Sequence, residues 1–324
     1  MSSNNVIVGV SINPEITMPY RDGGGSKRQV TSRHEGISGT SLDVMLWLCE
    51  FGIRAHLIAA IGNHSFFTTA IERFLEEKAM SALLLPIRER TSLAVVAINE
   101  ATGERAHFSD RAPYRPGVHR EAVARVRDFI RPRTPQFLIG TGVMPEDLFL
   151  VEELLDDGEA AATRILNPRA ALLEAEHRNA LSALLKRTDV VILNHDELAC
   201  LEPRAASANV AGLADGARRL QDMGPRIVIV TCAKQGAYLF AREGNGPYHQ
   251  QATCIGPTVD ESGAGDAFLA GLVIARQQGW SYEEAMPFGA LLAGFAVTEP
   301  GGAVVKPTST VMEAWNRLYP QGKE

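Results

Sequence analysis

The stretch that decides the fold is residues 189–231, which contain DVVILN (189–194), LADGARRLQDMG (213–224) and RIVIVT (226–231). The two outer segments are short, continuous runs of β-branched and aliphatic residues, as expected of strands that are buried on both faces. The segment between them spaces its apolar residues like an amphipathic helix. A strand, a helix and a second strand in this order predict a parallel βαβ unit.

The same alternation extends through most of the 324 residues. Further strand-like runs are VIVGV, AHLIAAIG, QFLIG and TRILN, at 6–10, 55–62, 136–140 and 163–167. Two later short strands, GAYLF and PYHQQATC, precede very apolar helices that begin near Gly263 and Ser281. We therefore predict a single doubly wound α/β domain over 1–324, with a mostly parallel central sheet flanked by helices.

Two regions interrupt this alternation. Residues 11–35 are rich in glycine and polar residues, and SLAVVAINEATGERAHFS at 92–109 is typical of a β-hairpin with its turn at 100–104. We expect segments of about 11–35 and 88–112 to form a small antiparallel sheet beside the main one. This insertion is called the lid below.

Composition excludes several classes of protein. A hydrophobic content of 45% is ample for a core, and a net charge of −6 with scattered Lys and Arg argues against a nucleic-acid-binding surface. No run approaches the roughly 18 apolar residues of a membrane span, and the start MSSNNVIVGV does not resemble a signal peptide. The cysteines form no C-x-x-C pair. We expect a cytoplasmic protein with no nucleic-acid or membrane partner.

The segment that carries most chemical information is DESGAGDAF at 260–268, directly before the apolar run LAGLVIA. We expect Ser262 to cap a helix whose small first-turn residues leave their backbone N–H groups uncovered. The helix dipole favours an anion there, most readily a phosphate. Asp266, in the same turn, would be able to accept a proton from a substrate hydroxyl. From these residues alone it stays open whether Asp266 only complements the dipole and the glycines only allow close packing.

DESGAGDAFLAGL resembles the C-terminal signature D-T-x-G-A-G-D-x-F of the ribokinase-like carbohydrate kinases, the PfkB family. Further matches follow the order of that family's motifs over nearly the whole chain. They are SIN (11–13), GISGTSLDVMLWLCEFG (36–52), IGNHSF (61–66), NHDE (194–197), VTCAKQG (230–236) and AVTEPGGAVVKP (296–307). The resemblance implies a ribokinase-like fold and ATP-dependent phosphorylation of a hydroxyl on a sugar or sugar-like substrate.

The resemblance also implies roles for individual residues. Asp266 would be the general base. The backbone N–H groups that would hold the charge of the transferring phosphoryl group belong to Gly263, Ala264, Gly265 and Asp266. The expected nucleotide-binding residues are Asn194, Glu197, Thr231, Gly236 and Ala290.

Metal cofactors follow from the same resemblance. Glu197, with Asn194, would organise water around Mg²⁺, although NHDE taken alone is more typical of a capped helix N-terminus. Asp260 and Ser262 stand where some family members bind a monovalent cation, so potassium is a further expected cofactor.

The expected substrate-binding residues are Asn13, Glu15, Ser38, Gly39, Ser41, Arg111 and Asp266. The family segment G-G-K-G-x-N reads G-I-S-G-T-S, so Ser38 replaces a lysine and Ser41 an asparagine, which favours a substrate other than ribose. Basic residues near the lid would suit a carboxylate or a phosphate, or would simply be solvated; they are Lys27, Arg28, Arg33, Arg88, Arg90, Arg105 and Arg111. Thr91 lacks the following arginine of sugar-phosphate members, which favours a neutral sugar, sugar acid or nucleoside.

Alternative functions stay open at this point. They are a nucleoside kinase or a sugar-phosphate kinase of the same fold, and a non-catalytic regulatory protein that binds a nucleotide or sugar. A dinucleotide oxidoreductase is disfavoured because SINPEI, not G-x-G-x-x-G, follows the first strand. We also expect a homodimer that forms through the lid, whose exposed strand edges favour pairing between subunits.

Overall fold

The computed structural model describes residues 5–23, 28–63, 65–102, 105–156, 162–244 and 246–320. Its strands, in chain order, are β1 (Asn5–Val10), β2 (Asn13–Asp22), β3 (Arg28–Val30), β4 (His34–Ser38), β5 (Arg54–Gly62), β6 (Ser81–Arg88), β7 (Leu93–Asn99), β8 (Arg105–Asp110), β9 (Phe137–Val143), β10 (Thr163–Pro168), β11 (Val190–Asn194), β12 (Ile227–Thr231), β13 (Ala237–Ala241) and β14 (Tyr248–Gln250). Lys27 and part of the predicted turn at 100–104 lie outside the described residues.

The α-helices are α1 (Thr40–Glu50), α2 (Phe66–Glu77), α3 (His119–Ile130), α4 (Leu148–Leu155), α5 (Ala170–Leu173), α6 (Arg178–Leu185), α7 (His195–Ala199), α8 (Val210–Met223), α9 (Ala264–Gln277), α10 (Tyr282–Ala296) and α11 (Thr308–Leu318). Short 3-10 turns lie at Arg131–Arg133, Pro145–Asp147, Ala175–His177, Pro203–Ser207 and Ala233–Gln235.

The main sheet has the strand order β14-β13-β12-β11-β10-β9-β1-β5-β6. Neighbours from β12 to β6 are parallel, while β13 and β14 add in antiparallel pairs. The predicted doubly wound, mostly parallel sheet is confirmed. After β1 the chain builds outward through β5 and β6, then returns to place β9 on the other side of β1. The strand order therefore reverses beside β1, which is where open α/β sheets bind their ligands.

Both faces of this sheet are covered by helices, as predicted. Alternate residues of β1 point to opposite sides, so Val6 and Val8 join one apolar cluster and Ile7 joins the other. The first cluster includes residues of α1, α9, α10 and α11, and the second includes residues of α3, α4, α6 and α8. Strands that are buried on both faces explain the continuous apolar runs in the sequence.

Helix α9 packs against α1, α10 and strand β11, so its residues from 267 to 275 are buried. This explains why the segment is apolar on all sides. A Cβ atom at Gly271 would lie 2.7 Å from the Cα atom of Gly289 in α10, so the two helices touch backbone to backbone there. Neither α9 nor any other helix in the described part of the chain has the length and hydropathy needed to cross a bilayer.

The lid is a separate sheet with the order β3-β2-β7-β8, and β4 also pairs with β2. The hairpin of β7 and β8 is confirmed, and β4 extends to Ser38, beyond the predicted limit at residue 35. The prediction that this sheet is antiparallel throughout is wrong, because β2 and β7 are parallel. They follow β1 and β6, two strands of the parallel main sheet, and so leave it at the same edge.

The contact between α9 and α10 gives a test of this packing. Replacing Gly271 by Val inserts a branched side chain where backbone atoms of α10 lie within 3.0 Å of the new Cβ position. We expect the free energy of unfolding to fall by about 2–3 kcal/mol in urea titrations, because overpacking forces the helices apart. The control is Gly36→Val, since a Cβ at Gly36 meets nothing within 4 Å. An equal loss in both variants would contradict the close contact.

Candidate active site

A cleft of about 1490 Å³ lies between the carboxyl ends of the main-sheet strands and the lid. Val10, Asn194 and Thr231, at the ends of β1, β11 and β12, line its floor. His107 and Ser109 of β8 line it from the lid. A cleft at this edge of the sheet, with polar groups converging on it, is the usual ligand site of such folds.

Helix α9 begins at this cleft with Gly263 as its N-cap residue. The prediction of Ser262 as N-cap is wrong, and Gly263 forms no side-chain cap. Gly263 has a φ of 74°, and a Cβ there would lie 2.2 Å from the carbonyl oxygen of Gly302, so only glycine fits. Within the described residues, the backbone N–H groups of Gly265 and Asp266 have no hydrogen-bond acceptor. The first turn therefore presents uncompensated donors to the cleft.

Asp266 lies in this first turn and lines the cleft. Burial raises the pKa of its carboxyl to about 7, the nearby Arg169 guanidinium opposes this rise, and the Glu197 carboxylate adds to it. A carboxylate with a pKa near neutrality is a stronger base than an ordinary aspartate.

Asn194 and Glu197 form a reciprocal cap at the start of α7. The Asn194 side chain accepts from the Glu197 backbone N–H at 2.7 Å, and Glu197 Oε2 accepts from the Asn194 backbone N–H at 2.9 Å. Glu197 is buried, and burial raises its pKa. The capping interpretation of NHDE is confirmed, yet both residues also line the cleft, so capping and ligand binding are compatible.

Arg169 is a cleft residue that the sequence analysis missed. It follows β10 directly, and its Nη1 lies 3.9 Å from Glu197 Oε1. The positive charge of Arg169 also lowers the pKa of Asp266. Its position after the apolar run TRILN, at the carboxyl edge of a parallel sheet, is the one signal in the sequence that could have indicated it.

The end of the cleft nearest α10 is lined by small residues. Thr231, Gly236 and Ala290, which were predicted to bind nucleotide, come together there. Lys234, which the sequence analysis did not select, lines the same end and is exposed. This part is called the α10 end below; among the described residues that line it, Lys234 supplies a cationic side chain.

Asp260 is 2% exposed and joins two loops beside α9. Its Oδ1 accepts from the Ser262 backbone N–H at 2.6 Å, and its Oδ2 accepts from the Gly301 backbone N–H at 2.8 Å. Asp260 and Ser262, the predicted potassium ligands, are thus adjacent, and the Asp260 carboxylate is already engaged by backbone donors.

The opposite end of the cleft, called the lid end, is lined by Asn13, Glu15, Ser38 and Gly39, all predicted to bind substrate. Burial raises the pKa of Glu15, His107 lowers it and Asp260 raises it further. Gly39 has a φ of 125°, and a Cβ there would lie 2.9 Å from the Ser11 carbonyl oxygen. Its backbone conformation lets β4 turn into α1 beside the cleft.

Ser41 and Asp43 depart from the sequence analysis in opposite ways. Ser41 is fully buried and is not among the residues that line the cleft; its Oγ accepts from the Ser11 backbone N–H at 2.9 Å. Ser41 therefore lies beneath the residues that line the cleft and holds the backbone of Ser11, which does line it. Asp43, which was not selected, lines the lid end and is 4% exposed.

Arg111 lines the cleft and is held by a carboxylate, Asp147. Its Nη1 donates to Asp147 Oδ2 at 3.1 Å and to Glu146 Oε1 at 3.2 Å. Asp147 Oδ1 also accepts from Arg88 Nη2 at 2.8 Å and from the Tyr114 hydroxyl at 2.7 Å. Arg88 and Asp147 are both buried, and their ion pair joins the end of β6, where the chain enters the lid, to the turn after β9. Through Arg111 and Tyr114, Asp147 also holds the segment that follows β8, so these contacts anchor the lid.

Of the other predicted basic residues near the lid, Arg88 also lines the cleft, whereas Arg28, Arg33 and Arg90 do not. Arg28, Arg33 and Arg90 form exposed ion pairs within the lid, with Asp22, Glu35 and Asp110. The solvated interpretation therefore holds for these three. Among the described residues, no group of three His, Cys, Asp or Glu side chains is placed to hold a metal ion.

A model of the pfkB family carbohydrate kinases matches residues 2–309, and the chain belongs to this family. The predicted family resemblance is confirmed. A curated relative, a ribokinase of Arabidopsis thaliana, is 28% identical over 124 residues, which are 38% of this chain and 32% of that protein. The match thus spans about a third of the curated relative's length.

Solved structures confirm the ribokinase-like fold over nearly the whole chain. Ribokinase from Giardia lamblia superposes with a TM-score of 0.77 at 17% identity, covering 96% of this chain and 98% of that one. Arabidopsis thaliana ribokinase complexed with ribose and ATP gives 0.73 at 18%, covering 97% and 98%. Burkholderia thailandensis nucleoside kinase in complex with inosine gives 0.74 at 15%, also covering 97% and 98%.

The buried ion pair that anchors the lid can be tested by Asp147→Ala. We expect the free energy of unfolding to fall by about 3–5 kcal/mol, because the change leaves the Arg88 guanidinium buried without its carboxylate. The matched control is Glu243→Ala, which breaks an exposed pair with Arg226 and is expected to cost less than about 1 kcal/mol. Chemical denaturation measures both. Equal losses would show that the Arg88–Asp147 pair does not anchor the fold.

Proposed function

We propose that this protein transfers the γ-phosphoryl group of ATP to a hydroxyl of a sugar or sugar-like acceptor, with Asp266 as general base. The observation that carries the proposal is the position of Asp266: it lines the cleft in the first turn of a buried helix, with a pKa raised to about 7. Asp266 takes the proton of the acceptor hydroxyl as the acceptor oxygen bonds to the γ-phosphorus. The bond from that phosphorus to its bridging oxygen breaks, and ADP leaves with the electron pair.

In this proposal, backbone N–H groups at the start of α9 stabilise the negative charge of the transferring phosphoryl group. We assign the anion-binding role to the backbone of Gly263, Ala264, Gly265 and Asp266, where Gly265 and Asp266 supply uncompensated N–H donors. The Ala264 N–H contacts the Glu261 carbonyl oxygen at 3.4 Å, so it contributes less. Arg169, which faces both Asp266 and Glu197, adds a guanidinium on the same side.

The α10 end of the cleft suits the nucleotide. Its small residues leave room for a base, and Lys234 supplies a cation for the phosphates. Asn194, Glu197, Thr231, Gly236 and Ala290 keep their predicted nucleotide-binding roles in this proposal. Asp266 separates this end from the lid end, so the acceptor occupies the lid end.

Magnesium fits the residues present, provided that water mediates its contacts. Glu197 uses one oxygen in its cap and leaves the other facing Arg169 and the cleft, so Glu197 and Asn194 would hold hydrated Mg²⁺ near the phosphates. When bound with ATP, Mg²⁺ would neutralise phosphate charge. Potassium beside Asp260 and Ser262 stays a prediction.

Replacing Asp266 by Asn tests the base. We expect kcat for ADP release from Mg-ATP to fall by about 10²–10⁴-fold with any acceptor that the wild type uses, because the amide cannot take the proton. In the wild type, kcat/KM for that acceptor should rise as pH increases through about 7, since only the ionised Asp266 is competent. The assay covers sugars, sugar acids, nucleosides and sugar phosphates.

Two neighbours serve as controls for the pH profile. Arg169 lowers the pKa of Asp266, so Arg169→Ala should move the rise to higher pH, and Glu197→Gln should move it to lower pH. If neither substitution shifts the pH dependence of kcat/KM, a group other than Asp266 titrates. If no acceptor stimulates ADP release above the Asp266→Asn level, the protein is a non-catalytic binding protein and the proposal is wrong.

We also propose that the lid forms a homodimer. Strands β3 and β8 end the lid sheet, and Val30 and Phe108 on them are 49% and 60% exposed. Covering such edges and apolar side chains by a second copy would remove them from water.

Sedimentation equilibrium tests the dimer. The wild type is expected at twice the chain mass of 35.1 kDa, and Phe108→Asp is expected to shift it to monomer, because the change buries a charge in the interface. Phe66→Asp is the control, since Phe66 is 83% exposed but lies outside the lid. A monomeric wild type at micromolar concentration would exclude the dimer.

A further inference from the structure

Asp43 is a buried carboxyl at the lid end of the cleft that the proposed reaction does not use. It lies in the first turn of α1, is 4% exposed and lines the cleft. Its hydrogen-bonding side-chain neighbour is Ser38, whose Oγ donates at 3.2 and 3.4 Å to the two carboxylate oxygens. A carboxylate so deeply placed needs a stronger partner than one hydroxyl if it is to stay ionised.

The groups around Asp43 do not supply that partner. Burial raises its pKa well above the ordinary value, the charges of Asp266 and Glu15 raise it further, and hydrogen bonds from Ser38 and the Gly39 backbone oppose them. Within the described residues, Asp43, Glu15 and Asp266 form no ion pair. The charge of His107 lowers the pKa of Glu15 and that of Asp260 raises it. The charge of Arg169 lowers the pKa of Asp266 and that of Glu197 raises it.

The arginines at the same end of the cleft are already neutralised. Arg88 and Arg111 bind Asp147, and Arg111 also binds Glu146, so they add little net positive charge. Position 38, next to Asp43, carries a neutral serine where the resemblance stated above has a lysine. The lid end is therefore acidic, and among the described residues Asp43 has no cationic partner there, unlike the more deeply buried Asp147.

A metal ion is not the partner that this arrangement fits. Among the described residues, no three His, Cys, Asp or Glu side chains are grouped so that they could hold one metal ion. A larger organic cation can reach separate carboxyls through different N–H donors, which a single ion cannot do.

We propose that the acceptor carries a protonated amine as well as the reacting hydroxyl, and that Asp43 and Glu15 bind this amine. The inference rests on the proposed phosphoryl transfer and narrows its substrate class to amino sugars and aminocyclitols. The hydroxyl faces Asp266, and the ammonium group lies on the side of α1 and β2. An ammonium donates up to three hydrogen bonds and supplies a positive charge at Asp43, whose described partners are the Ser38 hydroxyl and the Gly39 backbone.

The test compares related acceptors that carry a positive, a neutral or a negative group. ADP release from Mg-ATP is measured with the 2-amino forms of ribose, glucose, galactose and mannose, with their N-acetyl derivatives, with the parent sugars and with the related sugar acids. We expect kcat/KM for the best amine to exceed that of its N-acetyl form and parent by about tenfold or more, because hydrogen bonds to charged groups are the stronger ones. Sugar acids should be the poorest acceptors.

Variants then assign the preference to Asp43. Asp43→Asn keeps the shape of the side chain but removes its charge, and is expected to bring the amine preference to within about threefold of unity. Ser38→Lys places an ammonium beside Asp43 and should abolish the preference as well. Asp22→Asn, which removes an exposed lid carboxylate outside the cleft, should leave it unchanged. Thermal unfolding of each variant shows whether it is folded.

The outcomes separate this inference from the proposed function. If neutral sugars, sugar acids or nucleosides are phosphorylated and no amine is preferred, the amine inference is wrong and the phosphoryl transfer stands. If no compound is phosphorylated, the proposed function fails, and the shift in melting temperature on adding amines without ATP decides the binding claim. A larger shift with amines than with N-acetyl forms, lost in Asp43→Asn, supports amine binding; equal shifts overturn it.

Discussion

The carboxylate of Asp260 holds the two loops on which the cleft depends. It accepts the Ser262 and Gly301 backbone N–H groups, and so joins the turn before α9 to the loop after α10. Because α9 is buried on all sides, packing against its neighbours fixes its axis, and this bridge then fixes the path of the chain into its first turn. Gly263 completes the constraint, since the Gly302 carbonyl leaves no room for a side chain there. Asp266 reaches the cleft as a consequence.

The cleft divides its charges between its two ends. Arg169 and Lys234 line the part of the cleft to which we assign the nucleotide, and the carboxyls of Glu15 and Asp43 lie at the lid end. The pKa of Asp266 responds to the Arg169 guanidinium and to the Glu197 carboxylate, which lie together on one side of it. A field of this kind favours a nucleotide at one end and disfavours a second anion at the other.

Much of the site was predictable because its residues occupy recognisable positions next to strands and helices. Asp266, Glu197 and Thr231 follow local signals, namely a glycine-rich helix start, a capping pattern and the end of an apolar strand. Asp43 was missed because a polar residue in the first turn of a helix is ordinary, and only its burial against the cleft is not. The parallel pairing of β2 with β7 was missed because the sequence indicates strands but not their partners.

The sequence by itself determined the alternation of buried strands and amphipathic helices, the family, and the helix start that carries Asp266, because each depends on neighbours a few residues apart. Tertiary structure alone decided which charges meet. Arg88 and Asp147 are 59 residues apart, and the Asp260 oxygen that holds Gly301 spans 41. Contacts over such separations leave no periodic pattern in the chain. They arise only when sheet order and helix packing bring the segments together. The same packing places Glu15 and Asp43 together at the lid end of the cleft, which no local sequence motif predicts.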